Sequence, residues 1–255
     1  MMQIREEADH LVYRRFIRLR AEPGRVYAEV EDNPHHFRLV LGHDGRTLQS
    51  IDSESPRHPW TSCPGAGEPL RRLVGMPLAA RSTEVGGVAD ARSQCTHMFD
   101  LAGLAVAHAY AHTHDGRERR DYACRVSHDA DEGHTVAELS RDGEPCLAWQ
   151  VDGEVILGPA PYTGVRLHAR FMSWAESKLD LEAAEAALVL RRACFVAPSR
   201  FFDLDVVERA SDLENMFGRC HTFSETFAST ALRVRGSHRV DLPEDGGAPL
   251  PRPTS

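Results

Sequence analysis

Lysine is almost missing from this 255-residue chain: Lys178 is the only one, and the other basic side chains are arginines. A P-loop needs a lysine after its glycines and a Schiff-base enzyme needs one in its pocket, so both classes are disfavoured. The CxxC spacing is missing too. Cys63, Cys95, Cys124, Cys146, Cys194 and Cys220 are widely spaced and are read as mostly reduced, buried thiols. No apolar run approaches the ~20 residues of a membrane helix, and the N-terminal "MMQIREEADH" has no apolar stretch of a secretory type. A cytoplasmic protein away from membranes is expected. No basic stretch stands out and the net charge is −8, which argues against a nucleic-acid partner. GxGxxG after a strand, GxSxG, HExxH and the EF-hand loop are all lacking, so no nucleotide cofactor is expected.

What is present is a repeat. "GRVYAEVEDNPHHFRLVLGHDG" (24–45) and "GHTVAELSRDGEPCLAWQVDG" (133–153) each read as Gly, an alternating strand containing Ala-Glu, a turn, and a second strand ending in Asp-Gly. Tyr13 and Tyr122 open a preceding strand in each copy. The Asp-Gly pairs at 44–45 and 152–153 mark hairpins to third strands, "RTLQSIDSES" and "EVILGPAPY". Helical patterns follow in both halves: "GEPLRRLVGMPLA" and the Cys95 segment in the first, and "LHARFMSWAESKLDLEAAEAALVLRRACFVA" in the second. A last helix is expected near "FGRCHTFSETFASTALRV", with Cys220 standing opposite Cys95. The expected class is α+β, with two tandem related units packed pseudo-symmetrically, each an antiparallel three-stranded sheet followed by helices. Their boundaries are 10–115 and 120–240. The Pro- and Gly-rich stretch 241–255 is expected to be a flexible tail.

The chain resembles a bacterial family catalogued only as a domain of unknown function, with a cysteine, a Leu-x-Gly segment and Cys-Thr-His-[Leu/Met]. These stand here as "SCPGAGEPLRRLVGMPL" (62–78) and "QCTHMFDL" (94–101). Longer members are matched at Trp149, "GPAPYTG" (158–164), "WAESKLDLEAAEAALVLRR" (174–192) and "SRFFDLD" (199–205). The resemblance covers about residues 10–240. It supports these boundaries and implies no reaction type. Gln94 stands where some members carry glycine.

The Cys-Thr-His motif supplies the candidate catalytic group. At a helix start, unpaired N–H groups and the helix dipole favour a thiolate. Cys95 as nucleophile, His97 as base and Asp100 as orienter would make a Cys-His arrangement. Residues two apart on a helix point about 200° apart, so the pair meets only if Cys95 precedes the first turn. A plain buried cysteine is the competing explanation. Metal binding through Cys63, Cys95 and His97 is the alternative, with zinc or iron as the ion. His108, His112 and His114 offer a weaker metal option, read more simply as a histidine-rich helix end. Asp203 and Asp205 near Arg191, Arg192 and Arg200 read as a salt-bridge network. Arg92, Tyr162 and Arg200 are the candidate substrate-binding residues. The resulting expectation is an enzyme acting on a small aromatic or acyl molecule in a sheet–helix cleft, with its reaction type open. A non-catalytic metal-binding or accessory protein is the other reading, and a homo-oligomer is left open.

Overall fold

A computed structural model describes residues 3–4, 12–129, 133–168, 170–239 and 242–243. Eight strands form one antiparallel sheet: β2 (Tyr13–Glu22), β3 (Arg25–Asp32), β4 (His36–His43), β5 (Leu48–Arg57), β6 (Arg119–Asp129), β7 (His134–Arg141), β8 (Glu144–Asp152) and β9 (Val155–Gly158). Their order is β5-β4-β3-β2-β6-β7-β8-β9. A separate two-stranded pair joins β1 (Gln3–Ile4) to β10 (Phe202–Asp203). The helices are α1 (Thr96–Asp115), α2 (Phe171–Lys178) and α3 (Leu181–Val196).

The α+β class and the antiparallel hairpins match the expectation; two separate three-stranded sheets do not. The strand opened by Tyr13 and the strand opened by Tyr122 each enter a four-stranded meander, and the two pair with each other along eight residues. The physical reason is edge satisfaction. Alone, each meander would expose the N–H and C=O groups of its first strand, and pairing β2 with β6 closes both edges at once. The sheet therefore runs across the expected 115/120 boundary. Apart from Leu242 and Pro243, the expected tail lies outside the described residues.

Local chemistry explains the turns. Asp142 and Gly143 both take positive φ (54° and 90°), as a two-residue hairpin between right-twisted strands requires. Alternation then sorts the faces: Phe37, Leu39 and Leu41 of β4 are buried, with half-exposed residues between them. Helix α1 packs on β2, β3 and β4, and α3 on β6, β7 and β8. Apolar residues surround α1, and it is covered on its far side by a 3-10 segment at 82–87. Gly116 ends it at φ 69°, donating its N–H to the His112 carbonyl.

The long helical pattern at 167–197 carries α2 and α3, separated where the Asp180 carboxylate accepts the Ala183 N–H and caps α3. Two other helix expectations are corrected. The 67–79 pattern becomes part of a 3-10 segment at 63–73, which contains Pro69. The 217–234 stretch carries only a 3-10 turn at 221–223. It is not a counterpart of α1. It lies beside the start of α1, where the His221 N–H donates to the Gln94 carbonyl at 3.0 Å. No helix among the described residues is long and apolar enough to cross a membrane.

Candidate functional site

Three pieces of chain meet under the N-terminus of α1: the start of β2, the β3–β4 turn and the first helical turn. The turn is Asp32-Asn33-Pro34-His35. The Asp32 N–H donates to the His35 carbonyl (2.9 Å), and Asp32 Oδ1 accepts the His35 N–H (2.8 Å). Arg57 on β5 clamps this turn through the carbonyls of Asp32 (2.8 Å) and His35 (3.1 Å). Asp32 stands opposite Arg15 in the β2–β3 register, so its carboxylate faces the helices with no exposure to solvent.

That carboxylate is densely partnered. Oδ2 accepts the Tyr13 hydroxyl at 2.8 Å and Arg15 Nη1 at 3.0 Å, while Oδ1 meets His35 Nδ1 at 2.9 Å. His97 Nε2 approaches Oδ2 at 3.4 Å, an ion-pair distance outside hydrogen-bond geometry, and is left with no hydrogen-bond partner. The His35 and His97 rings lie 3.9 Å apart, with Phe37 at 6.2 Å from His97. Burial would raise the Asp32 carboxyl; the charge and hydrogen bonding of His35, and then the nearby His97, overcome it and hold the group well below the usual range. Burial, with His35 adding to it, pushes His97 down to about 3, so its ring is neutral. Burial first, and the Asp32 charge second, keep the Tyr13 hydroxyl protonated.

Cys95 is the N-cap residue of α1 and His97 the second helical residue, yet they face different surroundings. His97 responds to His35, Asp32 and Arg15. Cys95 is buried near Cys220 and Cys63, and burial raises its thiol, against the depression a nucleophile needs. Burial pushes Cys63 up to about 11, and its Sγ lies 3.5 Å from Thr222 Oγ1. Asp100 is taken by Arg192 of α3, which reaches Oδ2 through Nε and Oδ1 through Nη2, and it does not orient His97. Arg92 is exposed beside Asp90. Tyr162 packs between Trp149 and Trp174, and Arg200 is buried with Nη1 on the Ala197 carbonyl. Among the described residues, the one set of three metal-ligating side chains with donor atoms within 4.8 Å of one another is Asp32, His35 and His97. Cys63 and Cys95 do not join it. His114 Nδ1 meets the Tyr110 carbonyl and His112 Nδ1 that of Arg117, and among the described residues His108 and His112 belong to no set of three metal-ligating side chains. Asp205 does form a salt bridge, but with Arg233.

Tyr13, Arg15, Asp32 and His35 were missed in the sequence. The available signal was Arg15, a charge on the same face of β2 as Ile17 and Leu19, followed by a carboxylate at the matching place in β3.

No curated protein matches the chain. Residues 20–111, from the end of β2 through most of α1 and including Asp32, His35, Cys95 and His97, match the model of a family described as a protein of unknown function (DUF2889).

Proposed function

We propose that the protein is an enzyme acting on a small aromatic or acyl molecule, and that its working centre is the Asp32–His35–His97 cluster with Tyr13 and Arg15. The observation that carries this reading is the buried His97 Nε2 with no hydrogen bond, beside an ionised carboxylate. A buried polar atom left unpaired costs about 1–3 kcal/mol. A fold that only needed to pin a hairpin to a helix gains nothing from that cost, whereas a centre that takes a ligand uses the free atom. His35 is 13% exposed on its side chain and supplies the solvent edge. Cys95 belongs to the scaffold here, because its raised thiol does not suit a nucleophile.

The competing reading is a non-catalytic binding or accessory protein, favoured by how little of the cluster solvent reaches. On either reading the partner is a small molecule rather than a nucleic acid, supported by the charge of −8, and the compartment is the cytoplasm. Self-association is an open part of the proposal. The tandem-unit reading is kept as well. Tyr13 and Gly24 of the first repeat correspond to Tyr122 and Gly133 of the second, 109 positions on in both cases (122 − 13 and 133 − 24). Arg15 pairs with Cys124 at the same offset (124 − 15), so the repeats are related about that pair, which supports a duplicated ancestor.

The test is a panel of nitrophenyl esters and aromatic carboxylates, screened for turnover and for thermal stabilisation. His97→Ala is expected to remove turnover by about 10²–10⁴-fold while far-UV circular dichroism stays native. Full activity in both His97→Ala and Tyr13→Phe would refute the assignment.

A further inference from the structure

The geometry points to a divalent transition-metal site made by Asp32, His35 and His97, with zinc or ferrous iron as the ion. It concerns the centre of the proposed function, but it rests on donor atoms and not on catalysis.

The first support is spacing. Asp32 Oδ1 lies 2.9 Å from His35 Nδ1, and Asp32 Oδ2 lies 3.4 Å from His97 Nε2. Ligands about 2.0–2.2 Å from an ion, at tetrahedral or octahedral angles, are roughly 3.0–3.5 Å apart. These two contacts, one to each carboxylate oxygen, are near the spacing an ion would impose, and donor atoms of all three residues lie within 4.8 Å of one another; an ion would replace the present His35–Asp32 hydrogen bond.

The second support is the orphaned nitrogen. The His97 side chain is 9% exposed, its Nε2 has no hydrogen bond, and it is aimed at the carboxylate. His97 Nδ1 faces Thr96 Oγ1 at 3.5 Å. A proton on Nδ1 leaves the Nε2 lone pair free, which is the tautomer a ligand needs. Tyr13 and Arg15 both donate to Asp32 Oδ2 and serve as the outer partners that fix a ligating carboxylate. Two of the ligands sit on one rigid hairpin, three residues apart, and the third comes from α1.

The donor set selects the ion. Two imidazoles and one carboxylate suit zinc with an open position, or ferrous iron in a facial triad; calcium and magnesium prefer all-oxygen sets. Three protein ligands leave coordination positions for water or substrate. The thiol cluster of Cys63, Cys95 and Cys220 lies outside the set, so a thiolate-rich zinc site is not what the fold builds here.

The full-length protein tests this directly. Metal content as isolated is measured by mass spectrometry. The protein stripped with chelator is then titrated with zinc by calorimetry, with cobalt(II) by visible absorption and with ferrous iron under anaerobic conditions. One equivalent is expected for at least one ion, with cobalt giving the d–d bands of a low-symmetry site. His97→Ala and His35→Ala are expected to weaken binding at least about 100-fold, and Cys63→Ser to leave it unchanged. The His35 variant is informative even if a core variant fails to fold, because that ring is at the surface edge. No stoichiometric binding of any of the three ions by wild type, or unchanged affinity in both histidine variants, overturns the site. Stoichiometric binding without turnover of any panel substrate keeps the site and counts against the enzyme reading alone. Turnover by metal-stripped wild type that shows no binding overturns the site and keeps the enzyme.

Discussion

Glu29 is the most heavily paired carboxylate on the sheet face opposite Ala28 and Val30. Its oxygens meet Arg18 (3.0 Å), His36 (2.6 Å) and Arg38 (2.9 Å), and its side chain is 2% exposed. Burial would raise its carboxyl, but hydrogen bonds from His36, Arg38 and Arg18 outweigh this and lower it to about 2. The folded value lies below the unfolded one. The stabilisation is therefore complete above about pH 4.5 and is lost as pH falls toward 2. Glu29→Gln should cost about 2–4 kcal/mol at pH 7, because it strands buried cations. The gap between wild type and variant should narrow below about pH 4.5 in urea melts; a gap independent of pH would refute the assignment. His108 acts in a different window. Burial lowers it to about 4, so the folded protein resists protonation that the unfolded chain accepts, and stability falls from about pH 6.5 to 4. His108→Leu is expected to flatten the dependence of Tm on pH across that interval, and an unchanged slope would show that other groups dominate there.

At the scale of elements, α1 depends on one close approach. A Cβ added to Gly103 would lie 2.1 Å from the Ser82 carbonyl oxygen in the covering 3-10 segment. Backbone on both sides cannot give way as a side chain can. Gly103→Ala should therefore destabilise the protein by about 1–3 kcal/mol, even though alanine favours helix. Gly86→Ala in the facing segment meets nothing within 4 Å and is the matched control, expected to stay near wild type in Tm. Equal stability for the two variants would mean that the segment does not seat on α1. The same segment matters to the candidate site indirectly, because α1 presents His97 from its first turn. A shift of α1 on the sheet would move His97 away from Asp32, which sits in the β3–β4 hairpin.

For the whole molecule, the β2–β6 seam is decisive. Eight consecutive residue pairs join the two meanders, centred on Phe16 opposite Ala123 and Ile17 opposite Tyr122, and the buried apolar residues form one cluster on both sides of the seam. No boundary then allows one half to unfold while its edge stays satisfied. Denaturant unfolding should give a single transition, coincident by tryptophan fluorescence and far-UV circular dichroism. Trp60 reports the first half, and Trp149 and Trp174 the second. Two separated midpoints would restore independent domains at 10–115 and 120–240.

The amino-acid pattern alone determined the local pieces: the alternating strands, the Asp-Gly turns at 44–45 and 152–153, the apolar helix after Cys95 and the α+β class. Each of these is set by neighbours a few residues apart, where side-chain period and turn chemistry act directly. Cys95 and His97 drew attention for the same reason, being adjacent and chemically distinctive. Only the tertiary structure decided that their surroundings differ, because helix geometry and packing send the sulfur toward Cys63 and Cys220 and the imidazole toward Asp32. It also merged two expected sheets into one. His97 meets Asp32 and His35 across more than sixty residues of chain. That contact is fixed by strand register and by how α1 seats on the sheet, and short-range periodicity carries no record of either.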